Sequence, residues 1–107
     1  MIQSIATLSL QDFLTQPNIE SSPAWELMLG GAVQKTMPTL FHSRVQRNLV
    51  NYINDRTDRF EAVQELRCLV PPYSPVPDIS IVACDRLPDE DGPFNGAPDW
   101  LIEIRSP

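Results

Sequence analysis

Residues 96–107 read GAPDWLIEIRSP, and together with PVPDISIVA at 75–83 they decide how the chain folds. Between Trp100 and Arg105 the residues alternate: Trp100, Ile102 and Ile104 fall on one side of an extended chain, and Leu101, Glu103 and Arg105 on the other. That pattern predicts a strand, and its apolar content predicts a central place in a sheet. In the earlier segment Pro77 has no N–H to give to a ladder, so a strand starts at Asp78, with Ile79, Ile81 and Ala83 sharing a face. A carboxylate thus opens one strand, and a carboxylate and a guanidinium share a face of another.

Working outward, Phe41, Val45, Leu49 and Tyr52 recur at spacings of four, four and three with Ile53 alongside, which predicts the main helix over 38–54. Pro38 suits its first turn, and His42, Arg44, Gln46, Arg47, Asn48 and Asn51 fall on its polar arc. Upstream, WELML at 25–29 and AVQK at 32–35 flank Gly30-Gly31, a two-residue turn with positive φ at both positions, so a hairpin is expected. Ser9, with Asp12 three residues on, predicts a short helix that stops before Pro17. Gln64 to Val70 alternates and predicts another strand, ended by Pro71-Pro72. Residues 85–98 carry Pro88, Gly92, Pro93, Asn95 and Gly96 and predict a loop.

The 107 residues, 42% hydrophobic with 11 Pro and 4 Gly, suit one small domain over 1–107. No apolar run approaches the roughly 20 residues of a membrane span, and no basic residue precedes the apolar start at Met1-Ile2, so a cytoplasmic location is expected. The net charge of −6 argues against a surface that grips nucleic acid by neutralising phosphates along its whole length. Charge is uneven, however: six of the eight basic residues lie between Lys35 and Arg67, against four acids, whereas 78–105 holds seven acids and two arginines. Cys68 and Cys84 lack the spacing of a zinc site or a disulfide framework and are expected to pack in the core. His42 stands next to Ser43, but neighbours on a helix point about 100° apart, so the pair builds no triad. Asp89-x-Asp91-Gly92 lacks the remaining ligands of a calcium loop and reads as an acidic loop.

Asp78 and Glu103 therefore carry the chemical signal. Two carboxylates on neighbouring strands can converge on one divalent cation, and Mg²⁺ takes one or two carboxylates plus water and phosphate oxygens, which suits phosphodiester hydrolysis. Arg105, two residues beyond Glu103, shares its face and can stabilise charge on the attacked phosphate. Glu103 in an otherwise apolar strand also demands a partner or a metal to offset desolvation.

The order of these pieces resembles the PD-(D/E)xK nuclease superfamily, and within it the Uma-two-type restriction endonucleases. The resemblance rests on the short N-terminal helix, the WELMLGG hairpin at 25–31, the helix carrying His42 and Leu49, the strand VPDISIV at 76–82, and GAPDWLIEIRSP, the most specific block. It implies an α/β, restriction-endonuclease-like domain with a mixed sheet flanked by helices. It further implies a Mg²⁺- or Mn²⁺-dependent DNA endonuclease with Asp78 and Glu103 as metal ligands. Three features depart from the superfamily pattern. Arg105 stands where lysine is common; a guanidinium can hold phosphate but hardly moves a proton. The helix over 38–54 has no glutamate, leaving Glu65 or His42 as substitutes. The helix, often bearing a lysine, and the strands that follow Ser-Pro in such proteins are missing, so the chain reads as a member truncated at the C-terminus. The rival expectation, from another class, is a catalytically silent module that associates with itself as a homo-oligomer through exposed sheet edge and apolar surface.

Overall fold

The structure, a computed structural model, describes residues 8–105; the apolar start at Met1-Ile2 and the Ser106-Pro107 ending lie outside the described residues. The chain begins with α1 (Leu10–Leu14), capped by the Ser9 hydroxyl, which accepts the Asp12 N–H at 3.1 Å. It closes at Thr15, before Pro17 as expected. Phe13 of α1 is fully buried against Ile19, Leu27 and Ala32, a small core that fastens α1 to the hairpin.

That hairpin pairs β1 (Trp25–Met28) with β2 (Gly31–Gln34), Met28 lying opposite Gly31. The turn is Leu29-Gly30, one residue earlier than expected, and Gly31 at the start of β2 takes the positive φ of 108°. Helix α2 (Leu40–Arg56) starts two residues later than the spacing suggests, because the Thr39 hydroxyl accepts the His42 N–H at 3.1 Å and so sets the start, leaving Pro38 outside.

The main sheet has the order β3 (Phe60–Gln64), β5 (Ile79–Ala83), β7 (Trp100–Ile102), antiparallel throughout. The strand expected over 64–70 is divided. β3 ends at Gln64, Glu65 turns the chain at a left-handed φ of 51°, and β4 (Cys68–Leu69) pairs in parallel with β6 (Phe94–Asn95), which lies inside the expected 85–98 loop. β5 is the central strand, with Ile79, Ser80 and Val82 all buried. β7 lies at the edge among the described residues, with Trp100 60% exposed, so the apolar alternation at 100–105 marks an edge and not the centre. Trp100 packs on Phe60 across the sheet, ring centroids 5.3 Å apart.

Helix α2 lies on β3. His42, Gln46, Leu49 and Ile53 follow the i, i+4, i+7, i+11 spacing of one face and turn inward, whereas Phe41 and Tyr52, expected in the buried stripe, are exposed. Asn54 bonds the free edge of β3: its carbonyl accepts the Ala62 N–H at 2.8 Å and its amide donates to the Ala62 carbonyl at 3.0 Å. A second core joins Cys68, Val82 and Phe94; Cys84 is exposed instead of packed. Among the described residues no helix is long and apolar enough to cross a membrane.

Candidate active site

Strand register builds the site. Gln64 pairs with Ile79, and Ile79 with Ile102. Carried one residue further, that register sets Glu65, Asp78 and Glu103 in a single row across the ends of three strands. Two hydrogen bonds mark the row: the Glu65 N–H to the Asp78 carbonyl at 3.4 Å, and the Asp78 N–H to Glu103 Oε1 at 3.3 Å. Asp78 and Glu103, expected to lie together, are neighbours. Glu65, named only as a substitute for a helix glutamate, lies on the other side of Asp78.

The hairpin supplies what the sequence left unassigned. Leu27 and Ser74 exchange backbone hydrogen bonds at 3.1 and 2.9 Å, and Glu26 accepts the Val76 N–H at 2.8 Å, so the hairpin seats on the segment just before Asp78. Buried Arg67 ties the same layers together, forking onto Glu20 at 2.8 and 2.9 Å and donating to the carbonyls of Trp25, Ile19 and Ser74. Lys35, just past β2, is held by its N–H on the Ala24 carbonyl, and its side chain enters the row. Its Nζ donates to Asp78 Oδ1 and Glu65 Oε1, both at 2.9 Å, and to the Val76 carbonyl at 2.6 Å.

Asp78 is 4% exposed, and three groups attend its carboxylate. Lys35 holds Oδ1, while Oδ2 accepts the Ile104 N–H at 2.8 Å and faces His42 Nε2 at 3.2 Å. Burial pushes its pKa up most strongly, but the Ile104 N–H, Lys35 and His42 together outweigh burial and hold the carboxyl below its ordinary 3.8. Glu103 is shifted the other way: desolvation first, then the Asp78 charge, raise it above 4.5. Lys35 stays above 10.5, because its bonds to Asp78 and Glu65 overcome the opposing effect of burial. From α2, Gln46 donates to the Asp78 carbonyl and to Glu65 Oε2, both at 2.7 Å. These bonds explain why a residue read as part of a polar arc is the buried residue of α2.

A cleft of about 700 Å³ opens on the row, walled by the hairpin exit and the start of α2, with Glu103 and Arg105 on its far side. Arg105 is exposed there and makes no ion pair among the described residues. Asp78 and Glu103 offer the two hard oxygen donors that Mg²⁺ accepts alongside water and phosphate oxygens. Desolvation first and the Asp78 charge second raise the Glu103 carboxyl, and a cation between the two acids would offset that charge. Among the described residues no group of three or more His, Cys, Asp or Glu is placed to hold a metal ion by itself. The Nδ1 of His42 is buried without a hydrogen-bond partner among the described residues.

A mixed α/β domain with its acids gathered at the strand ends has a restriction-endonuclease-like architecture, and comparison with known proteins agrees. Residues 10–107 match the Uma2 family, described as "Putative restriction endonuclease", and the chain belongs to that family. A crystal structure described as a "putative nuclease belonging to DUF820" from Anabaena variabilis shares the fold, with a TM-score of 0.78 and 40% sequence identity over 92% of this chain. The chain spans 58% of the length of that protein. The comparison with curated proteins gave no match.

Proposed function

We propose that this domain is a divalent-cation-dependent DNA endonuclease, with Asp78 and Glu103 holding Mg²⁺ or Mn²⁺ and Arg105 contacting the phosphate. The single observation that carries the reading is the row at the strand ends, where the Asp78 N–H meets Glu103 Oε1 at 3.3 Å and both residues line one cleft. When bound there, the cation would supply Lewis-acid activation of the phosphate and a water of lowered pKa. The protein contributes the rest. Ile104 N–H and His42 fix the rotamer of Asp78, Gln46 fixes its backbone carbonyl, and Arg105 offers a charged fork suited to phosphate oxygens. Five acids line the cleft (Glu20, Glu26, Glu65, Asp78 and Glu103), so it repels DNA until that charge is offset.

The test is cleavage of supercoiled plasmid with Mg²⁺ or Mn²⁺ by the parent, Asp78→Ala and Glu103→Ala. Nicked or linear product from the parent alone supports the reading. Equal product from all three would remove both carboxylates from the chemistry.

A further inference from the structure

Lys35 is the chain's only lysine, and it stands where a cation bound by Asp78 would have to come. An ammonium carries three N–H donors, and all three are assigned: Glu65 Oε1, the Val76 carbonyl and Asp78 Oδ1. The side chain is only 11% exposed, its backbone is pinned to Ala24, and Glu65 is braced by Gln46, so the ammonium cannot withdraw from the cleft as a whole. Of its three acceptors, Asp78 has two other donors to rely on, the Ile104 N–H and His42, whereas Glu65 has one, Gln46. The bond to Asp78 is therefore the one most readily exchanged. Glu65 holds its end of this arrangement with a left-handed φ of 51°, a conformation unusual for a residue with a Cβ.

We propose that Lys35 is a tethered counter-cation that couples divalent-cation loading to phosphate binding, a role that rests on the nuclease reading above. Before loading, the ammonium neutralises Asp78. A divalent cation on Asp78 Oδ1 displaces it by direct competition and like-charge repulsion. Glu65 and Val76 retain it, and the freed N–H turns to a phosphodiester oxygen in the same cleft.

Two measurements on the full chain test this. Calorimetry with Mg²⁺ compares the parent with Lys35→Met, Glu65→Gln and the double variant. Lys35→Met should bind Mg²⁺ roughly tenfold more tightly, because no ammonium then competes for Asp78. Glu65→Gln should bind severalfold more weakly, because the ammonium then leans on Asp78, and in the Lys35→Met background it should change nothing further. In the second measurement, lysine labelled with ¹⁵N at Nζ gives one side-chain resonance in this chain. Dimethyl phosphate should shift it only after Mg²⁺ is present. A lysine that merely braces the hairpin predicts Mg²⁺ affinity unchanged or weakened by Lys35→Met, and that result overturns the proposal while leaving the metal site standing. Glu65→Gln, which keeps side-chain size, provides the same decision if Lys35→Met does not fold: unchanged or tighter Mg²⁺ binding overturns the proposal. Absence of Mg²⁺ heat in the parent overturns the nuclease reading and this inference together.

Discussion

Replacing the two cleft carboxylates by their own amides should change stability in opposite ways. Asn at 78 keeps one acceptor and gains an NH₂. If its oxygen faces the Ile104 N–H, its NH₂ abuts the Lys35 ammonium; turned round, the NH₂ abuts the Ile104 N–H instead. Either rotamer loses a charge-assisted bond and forces two donors together in a position only 4% exposed. A charged hydrogen bond contributes about 1.5–3 kcal/mol. Lys35 keeps Glu65 and the Val76 carbonyl, so the loss stays below the roughly 3–5 kcal/mol of a buried ion pair stripped of a partner. Asp78→Asn should therefore cost about 2–3 kcal/mol. At Glu103 the ionised form is disfavoured by desolvation and by Asp78, and its bond among the described residues, from the Asp78 N–H, is a long 3.3 Å that an amide oxygen can also accept. Glu103→Gln should thus fall within about 0.5 kcal/mol of the parent at neutral pH, on the stabilising side. Urea unfolding with unchanged m-values measures both. A cost below about 1 kcal/mol for Asp78→Asn, or an equal cost for the two, would refute the reasoning.

Stability should depend on pH through the same groups. Asp78, held below 3.8, contributes stability that is present above 3.8 and is lost as pH falls through its lower folded value. Glu103, held above 4.5, favours the fold below 4.5 and withdraws that contribution as pH climbs through its raised value; Glu103→Gln should abolish this decline in a urea-midpoint series against pH. Lys35, held above 10.5, contributes stability that is present below 10.5 and is lost as pH rises through its raised value, so Lys35→Met, which lacks the titrating group, should show a flatter alkaline decline in the same series. Arg67→Met leaves exposed Glu20 free to rehydrate but takes the donor from the Ile19, Trp25 and Ser74 carbonyls, and should cost about 2–4 kcal/mol in thermal unfolding. Asn54→Ala removes both bonds to Ala62 and should cost about 1–2 kcal/mol, with faster amide exchange at Ala62.

The sequence made legible whatever is settled locally. Ser9 caps α1, Pro77 delimits the strand at 79–83, and the glycines mark the hairpin to within one residue. Asp78 and Glu103 were found because proline and apolar alternation fix where each stands on its strand. The edge position of β7 was not legible, since alternation over a few residues describes two faces and not the number of neighbours. Lys35 was left without a role, Gln46 was read as part of a polar arc and Glu65 only as a substitute acid, for one physical reason: their partners come from docking, not from spacing. Lys35 reaches Asp78 only because Leu27 and Ser74 join the hairpin to the segment at 74–76. Gln46 is polar by type yet buried because carbonyl and carboxylate oxygens await it. A single lysine among seven arginines was the one signal in the letters that could have drawn attention to position 35.

The most direct test is a crystal soaked in manganese and recorded at the manganese absorption edge. The account predicts an anomalous peak within about 2.0–2.4 Å of carboxylate oxygens of both Asp78 and Glu103, with the Lys35 ammonium displaced from Asp78 Oδ1 but still on Glu65. A cleft without that peak, in which Lys35 still spans Asp78 and Glu65 at saturating manganese, would contradict it.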